Sequence, residues 1–152
     1  MPIRKALPTD NSAARAVVQK SLASFGLIAD FDTLDAAIGA LGQASTPNEI
    51  ELVAEVDGKL VGCLAIQRME GDVAKLFGFH VDGSMQGQGI GRTLLCEAIA
   101  QAVIHHFNRL ELETWGNMEA AVHLYVSLGW VRGPDPLPDS GADRFYCLAL
   151  VK

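Results

Sequence analysis

A chain of 152 residues lies near the commonest domain size, so a single unit over 1–152 with a sizeable core is expected. Its 49% hydrophobic and 20% charged residues are those of a globular protein, and no apolar run approaches the roughly 20 residues that span a bilayer, so no membrane is expected as partner. The formal net charge of −6 argues against a nucleic-acid partner, whose phosphates call for clustered Lys and Arg.

The opening MPIRKALPTD lacks a basic region followed by an apolar run, so no signal peptide is expected and the cytoplasm is the expected compartment. Ile3 to Leu7 reads as a short extended segment, and Pro8-Thr9-Asp10 as the N-terminus of a helix that Gly26 ends. A second helix is predicted from Asp32 to Leu41, where Leu34, Ala37, Ile38 and Leu41 recur at helical spacing. From Ile50 the texture becomes short β-prone runs. Asp57-Gly58 between two of them signals a hairpin, and a turn at Glu70-Gly71-Asp72 leads to a third run, Val73 to Val81, completing an antiparallel meander. A helix from Gly89 to Phe107 follows, then a strand from Leu110 to Thr114 predicted to run parallel to the third, since a strand–helix–strand crossover favours that arrangement. Glu119 to Leu128 reads as helix, Gly129 as its stop and Arg144 to Val151 as the last strand. The proline-rich Gly133 to Gly141 is either a stiff connector or the rim of a pocket.

Cys63, Cys96 and Cys147 are far apart, odd in number and set among apolar neighbours, so they read as reduced core residues. His105-His106 is not a metal pair, because adjacent helical residues point about 100° apart; the two read as cations near a helix end, and no metal is expected.

In MQGQGIGRTLL, residues 85–95, three glycines on alternate positions run straight into a helix. Bare backbone at a helix N-terminus lets several N–H groups converge on an anion, although a plain glycine-rich turn has the same composition. The segment lacks the GxxxxGK[ST] of a Walker loop and the GxGxxG of the dinucleotide fingerprint. Gln86-x-x-Gly89-x-Gly91 instead resembles the signature of the GNAT superfamily of N-acetyltransferases, and Ala121-x-x-Leu124-Tyr125-x-x-x-Gly129-Trp130 is similar to that family's second element. The resemblance runs from Ile3 to Leu150. It implies an α/β (α+β) single-domain GNAT fold: a mixed central sheet with antiparallel N-terminal strands, splayed strands four and five, and flanking helices. It also implies acetyl-CoA as cosubstrate, with the pantetheine arm along Phe79, His80 and Val81 and the pyrophosphate on the amides of Gln86, Gly87, Gln88, Gly89, Ile90, Gly91 and Arg92. Asn117 stands one place from where the family often carries a cofactor-binding Asn. Relatives often form a homodimer, and no feature here decides for or against one.

Acetyl transfer to an amine needs a neutral amine, a stabilised oxyanion and a proton for the departing thiolate. The resemblance assigns Tyr125 as general acid. A thiol of pKa near 8.5 and a phenol near 10 leave that proton transfer uphill by about 2 kcal/mol, which a modest environmental shift removes. The oxyanion is expected at a backbone N–H near Val81, where the family often carries a bulge. The carboxylate that acts as base in several members falls at Lys75 here. Glu113, His80 or a held water are the alternatives; an ion-paired strand carboxylate is an equal reading of Glu113, and a satisfied strand histidine a competing one of His80. An α-amine of pKa about 8 needs little help, whereas a lysine-like amine costs roughly 4 kcal/mol to deprotonate. The amine acceptor, a small molecule or a peptide end, is expected between about Ser21–Leu41 and Gly133–Gly141, where Asp30, Asp32, Asp35, Asp135 and Asp139 favour a cation or are solvated surface acids. Lys75 at the base position keeps a second function open, an acyl-CoA-binding sensor or interaction domain without catalysis.

Overall fold

The computed structural model describes residues 3–150; Val151, placed by the sequence in the last strand, lies outside them. β1 (Ile3–Lys5) leads through a 3₁₀ turn at Pro8–Asp10 into α1 (Asn11–Ala23). After α2 (Ala36–Gly39) come β2 (Ile50–Val56), β3 (Lys59–Arg68) and β4 (Val73–Val81). A 3₁₀ turn at Gly83–Met85 precedes α3 (Ile90–Ile104), followed by β5 (Arg109–Thr114), α4 (Glu119–Ser127), β6 (Val131–Arg132) and β7 (Arg144–Ala149). The seven strands form one sheet in the order β1-β2-β3-β4-β5-β7-β6, with β4 and β5 parallel and the other neighbours antiparallel. No helix among the described residues is long and apolar enough to cross a membrane.

The hairpin forms where Asp57-Gly58 predicts it: both residues take positive φ, 52° and 76°, so Val56 faces Lys59 across a tight two-residue turn. Helices cover both faces of the sheet, so β3 is buried continuously from Leu60 to Ile66 rather than alternating. On one face Leu64 and Ile66 pack with Leu94, Leu95 and Ala98 of α3; on the other Cys63 and Ala65 pack with Val17 and Val18 of α1. Each large apolar side chain enclosed in this way contributes about 1.5–3 kcal/mol.

Two local expectations change, and one short strand is added. The helix predicted from Asp32 to Leu41 shrinks to α2, because Asp30 and Asp35 bond each other instead: the Asp35 N–H donates to the Asp30 carbonyl and the Asp30 N–H to the Asp35 carboxylate, each at 2.8 Å. Such local bonds compete with a helical ladder. Leu34, counted on the apolar stripe, is exposed. β6, only two residues long, has no readable sequence pattern. Of the three cysteines Cys63 is buried, Cys147 half-buried and Cys96 exposed on α3, so the core reading fails for Cys96: it falls off the stripe made by Leu94, Leu95 and Ala98.

Candidate active site

β4 and β5 pair only at Val73–Arg109, Ala74–Leu110 and Lys75–Glu111, then separate, while β5 stays paired to β7 as far as Thr114. From Leu76 to Val81, β4 therefore has no strand on its β5 side, and every second backbone N–H there faces the gap. A bulge bends β4 at this point. Its register against β3 advances three residues, Phe77 to His80, against two, Ala65 to Cys63, and Gly78 takes φ of 66°. A Cβ on Gly78 would lie 2.3 Å from Ile38 of α2, so both the conformation and the close approach call for glycine. The bulge expected near Val81 thus lies a few residues earlier, where Gly78 permits it.

A cavity of about 540 Å³ opens on one side of the splay. It is bordered by Phe79, His80 and Val81 of β4, and by Gln86, Gly87, Gly89, Ile90, Gly91 and Arg92. Gly87 and Gly89 have φ of 81° and 77°, and Gly89 is the left-handed N-cap of α3. Nothing lies within 4 Å of where their Cβ atoms would stand. The α3 ladder begins with the Thr93 N–H on the Gly89 carbonyl at 3.0 Å, so the amides of Ile90, Gly91 and Arg92 precede it and point out of the helix end. This open concavity at a helix N-terminus suits a pyrophosphate. Arg92 stands beside it with its guanidinium on the Ser127 hydroxyl at 2.9 Å. Gln88 and Asn117, two of the expected cofactor contacts, are exposed and border neither this cavity nor the second one; Met118 borders both.

The second cavity, about 380 Å³, lies between α1, the 27–35 loop, β4, β5 and the 140–142 segment. The two share Phe79, His80, Met118 and Ala121, and at this junction β4 meets the N-terminal turn of α4. Tyr125, one turn further along α4, borders the second cavity. It is buried with its ring centroid 5.9 Å from Phe79, 5.7 Å from Trp130 and 6.1 Å from Tyr146. Burial pushes its phenol well above the usual tyrosine range, which keeps the proton on the oxygen. The modest downward shift expected from the sequence is therefore not present; the same apolar surroundings disfavour a departing thiolate as well, which offsets part of the mismatch.

His80 shares a 2.7 Å hydrogen bond between Nδ1 and the Ser21 hydroxyl at the end of α1. Burial of the imidazole pushes its pKa down to about 4, so the ring is neutral near pH 7. Ser21 carries no recognisable motif; only folding brings it to β4. Lys75 and Glu113 come together as an ion pair at 2.5 Å across the strands that part, with Lys75 Nζ also 5.2 Å from the Phe77 ring centroid. Of the five aspartates noted in the sequence, Asp35 alone borders the cavity; burial raises its pKa, partly opposed by the N–H it accepts from Asp30. Asp135 instead pairs with Arg132 at 2.9 Å. The 133–141 loop contributes Ser140 and Gly141 to the wall, which makes it a pocket rim. No cysteine borders either cavity, and burial pushes the Cys63 thiol up to about 12.

The family model described as acetyltransferase (GNAT) family matches residues 14–130. An uncharacterized N-acetyltransferase, YjgM, of Escherichia coli K12 is 30% identical over 134 residues, covering 84% of this chain and 80% of that protein. Among solved structures, a GNAT-family acetyltransferase from Staphylococcus aureus Mu50 superposes with a TM-score of 0.84 at 18% identity over 99% of each chain. The PaiA N-acetyltransferase of Thermoplasma acidophilum, solved in complex with coenzyme A, gives 0.77 at 18% identity over 97% of this chain and 98% of its own.

Proposed function

Because this chain belongs to the GNAT acetyltransferase family and is an acetyl-CoA-dependent acyltransferase, we propose that it acetylates an amine of a small molecule or peptide end, in the cytoplasm, by direct attack, with Tyr125 as general acid. The observation that carries this reading is the meeting of the two cavities at Phe79, His80, Met118 and Ala121, with Tyr125 beside the junction. In this reading acetyl-CoA occupies the larger cavity. Its pyrophosphate lies on the amides from Gln86 to Arg92 and its arm runs along the free edge of β4. The thioester then reaches the junction, where backbone N–H groups of the unpaired β4 segment meet the developing oxyanion. The amine enters from the smaller cavity.

Attack forms the C–N bond, collapse breaks the C–S bond, and the Tyr125 hydroxyl gives its proton to the departing sulfur. The amine's own surplus proton leaves through Glu113, directly or by way of a water, with Lys75 holding that carboxylate in place. A covalent acetyl-cysteine route has no support from the site, since neither cavity is bordered by a thiol. The test is a thiol-release screen over amines, amino acids, polyamines and peptide N-termini, with Tyr125→Phe as the control. Release by the wild type should fall about 100-fold in the variant while acetyl-CoA affinity changes little. Equal turnover by the variant would remove Tyr125 from the chemistry.

A further inference from the structure

We propose that the acceptor is a small primary amine with an apolar aromatic or branched aliphatic body and no carboxylate. The inference rests on the acetyl-transfer reading and names the acceptor class for that site. It follows from three features of the smaller cavity.

The first is charge. Lys75 is the one Lys or Arg side chain bordering the cavity among the described residues, and its ammonium is already held by Glu113. Asp35 adds a second carboxylate, and His80 is neutral. Two carboxylates against one ammonium favour an incoming ammonium ion and repel a second anion. The carboxylate of a free amino acid would be desolvated there without a cation of its own. The second feature is the wall, where Leu22, Leu27, Phe77 and Trp115 offer apolar surface to the body of an amine. The third is size. At about 380 Å³ the space is at the small end of ligand pockets. The 27–35 loop meets the 140–142 segment at its border: Leu34 lies so close to Gly141 that a Cβ there would be 2.9 Å from Leu34 Cδ2. A small amine fills a space of this size, whereas an extended peptide would outrun it.

The experiment titrates the coenzyme A complex of the full chain, by calorimetry, with phenethylamine, tryptamine and isoamylamine, and with phenylalanine, tryptophan and leucine, which differ from them by the carboxylate. Each amine should bind about tenfold or more tightly than its amino acid. Glu113→Gln, which frees Lys75, should narrow that ratio. Asp35→Asn should weaken amine binding and leave acetyl-CoA affinity unchanged, an independent check if the first variant does not fold. Amino acids binding as tightly as the amines, tighter binding of a phenylalanyl tripeptide, or no binding by either set would overturn the proposal. Selective amine binding without thiol release from acetyl-CoA would uphold the acceptor class and overturn the acetyl-transfer reading alone.

Discussion

His80 shows how burial at one residue turns into a measurable property of the whole chain. Its imidazole, enclosed between the two cavities beside Ser21, has a pKa of about 4 against an ordinary 6.5. The unfolded chain therefore binds a proton between those values that the folded chain refuses, so the stability present above pH 6.5 is lost progressively as the pH falls toward 4. The full difference is worth roughly 3 kcal/mol. Asp10, held below the carboxylate range by Arg4, and Asp82, held there by Ser84, lose their contributions only at still lower pH. The urea midpoint of the wild type should accordingly drop between pH 6.5 and 4, and His80→Gln should flatten most of that slope; an unchanged slope would show that the imidazole is not sheltered.

At the scale of elements, the turn into α3 carries the cofactor argument. Gly89 holds a left-handed N-cap, a conformation that costs an ordinary residue roughly 1–2 kcal/mol. Its Cβ direction is open, into the space assigned to the pyrophosphate. Gly89→Val should therefore lower acetyl-CoA affinity by about tenfold or more while the far-UV spectrum stays that of the wild type; unchanged affinity would remove the phosphate from this helix end. The turn itself is readable in the sequence, because alternate glycines ahead of an apolar helical run mark a left-handed entry into a helix. The Asp57-Gly58 hairpin, β4 and α4 were readable for the same kind of reason, a local pattern tied to one backbone geometry. The α2 region was not: Leu34 falls on helical spacing, yet the mutual bonds of Asp30 and Asp35 turn the chain and set Leu34 over Gly141. Nor could spacing place the β4 bulge, whose position at Gly78 is fixed by the approach of Ile38 from a distant part of the chain.

For the whole molecule, the two faces of one sheet have different tasks. α3 and α4 pack against one face, while α1 and α2 close the other and bring Ser21 and the 27–35 loop to the splayed strands. Lys75 and Glu113 were each noted in the sequence, but only the pairing of β4 with β5 shows that they neutralise each other at the point where the strands part. The glycine turn of α3, the end of β4 and the first turn of α4 thus border one continuous cavity, which meets the smaller one at Phe79, His80, Met118 and Ala121. In the proposed direct attack the acetyl group passes from thioester to amine with no protein nucleophile between them. The most direct measurement follows acetyl-CoA labelled in its acetyl group, first with the protein alone and then with phenethylamine added. Label absent from the protein, and acetylated amine formed one-to-one with free coenzyme A, is the predicted result; label fixed on the protein before the amine arrives would contradict it.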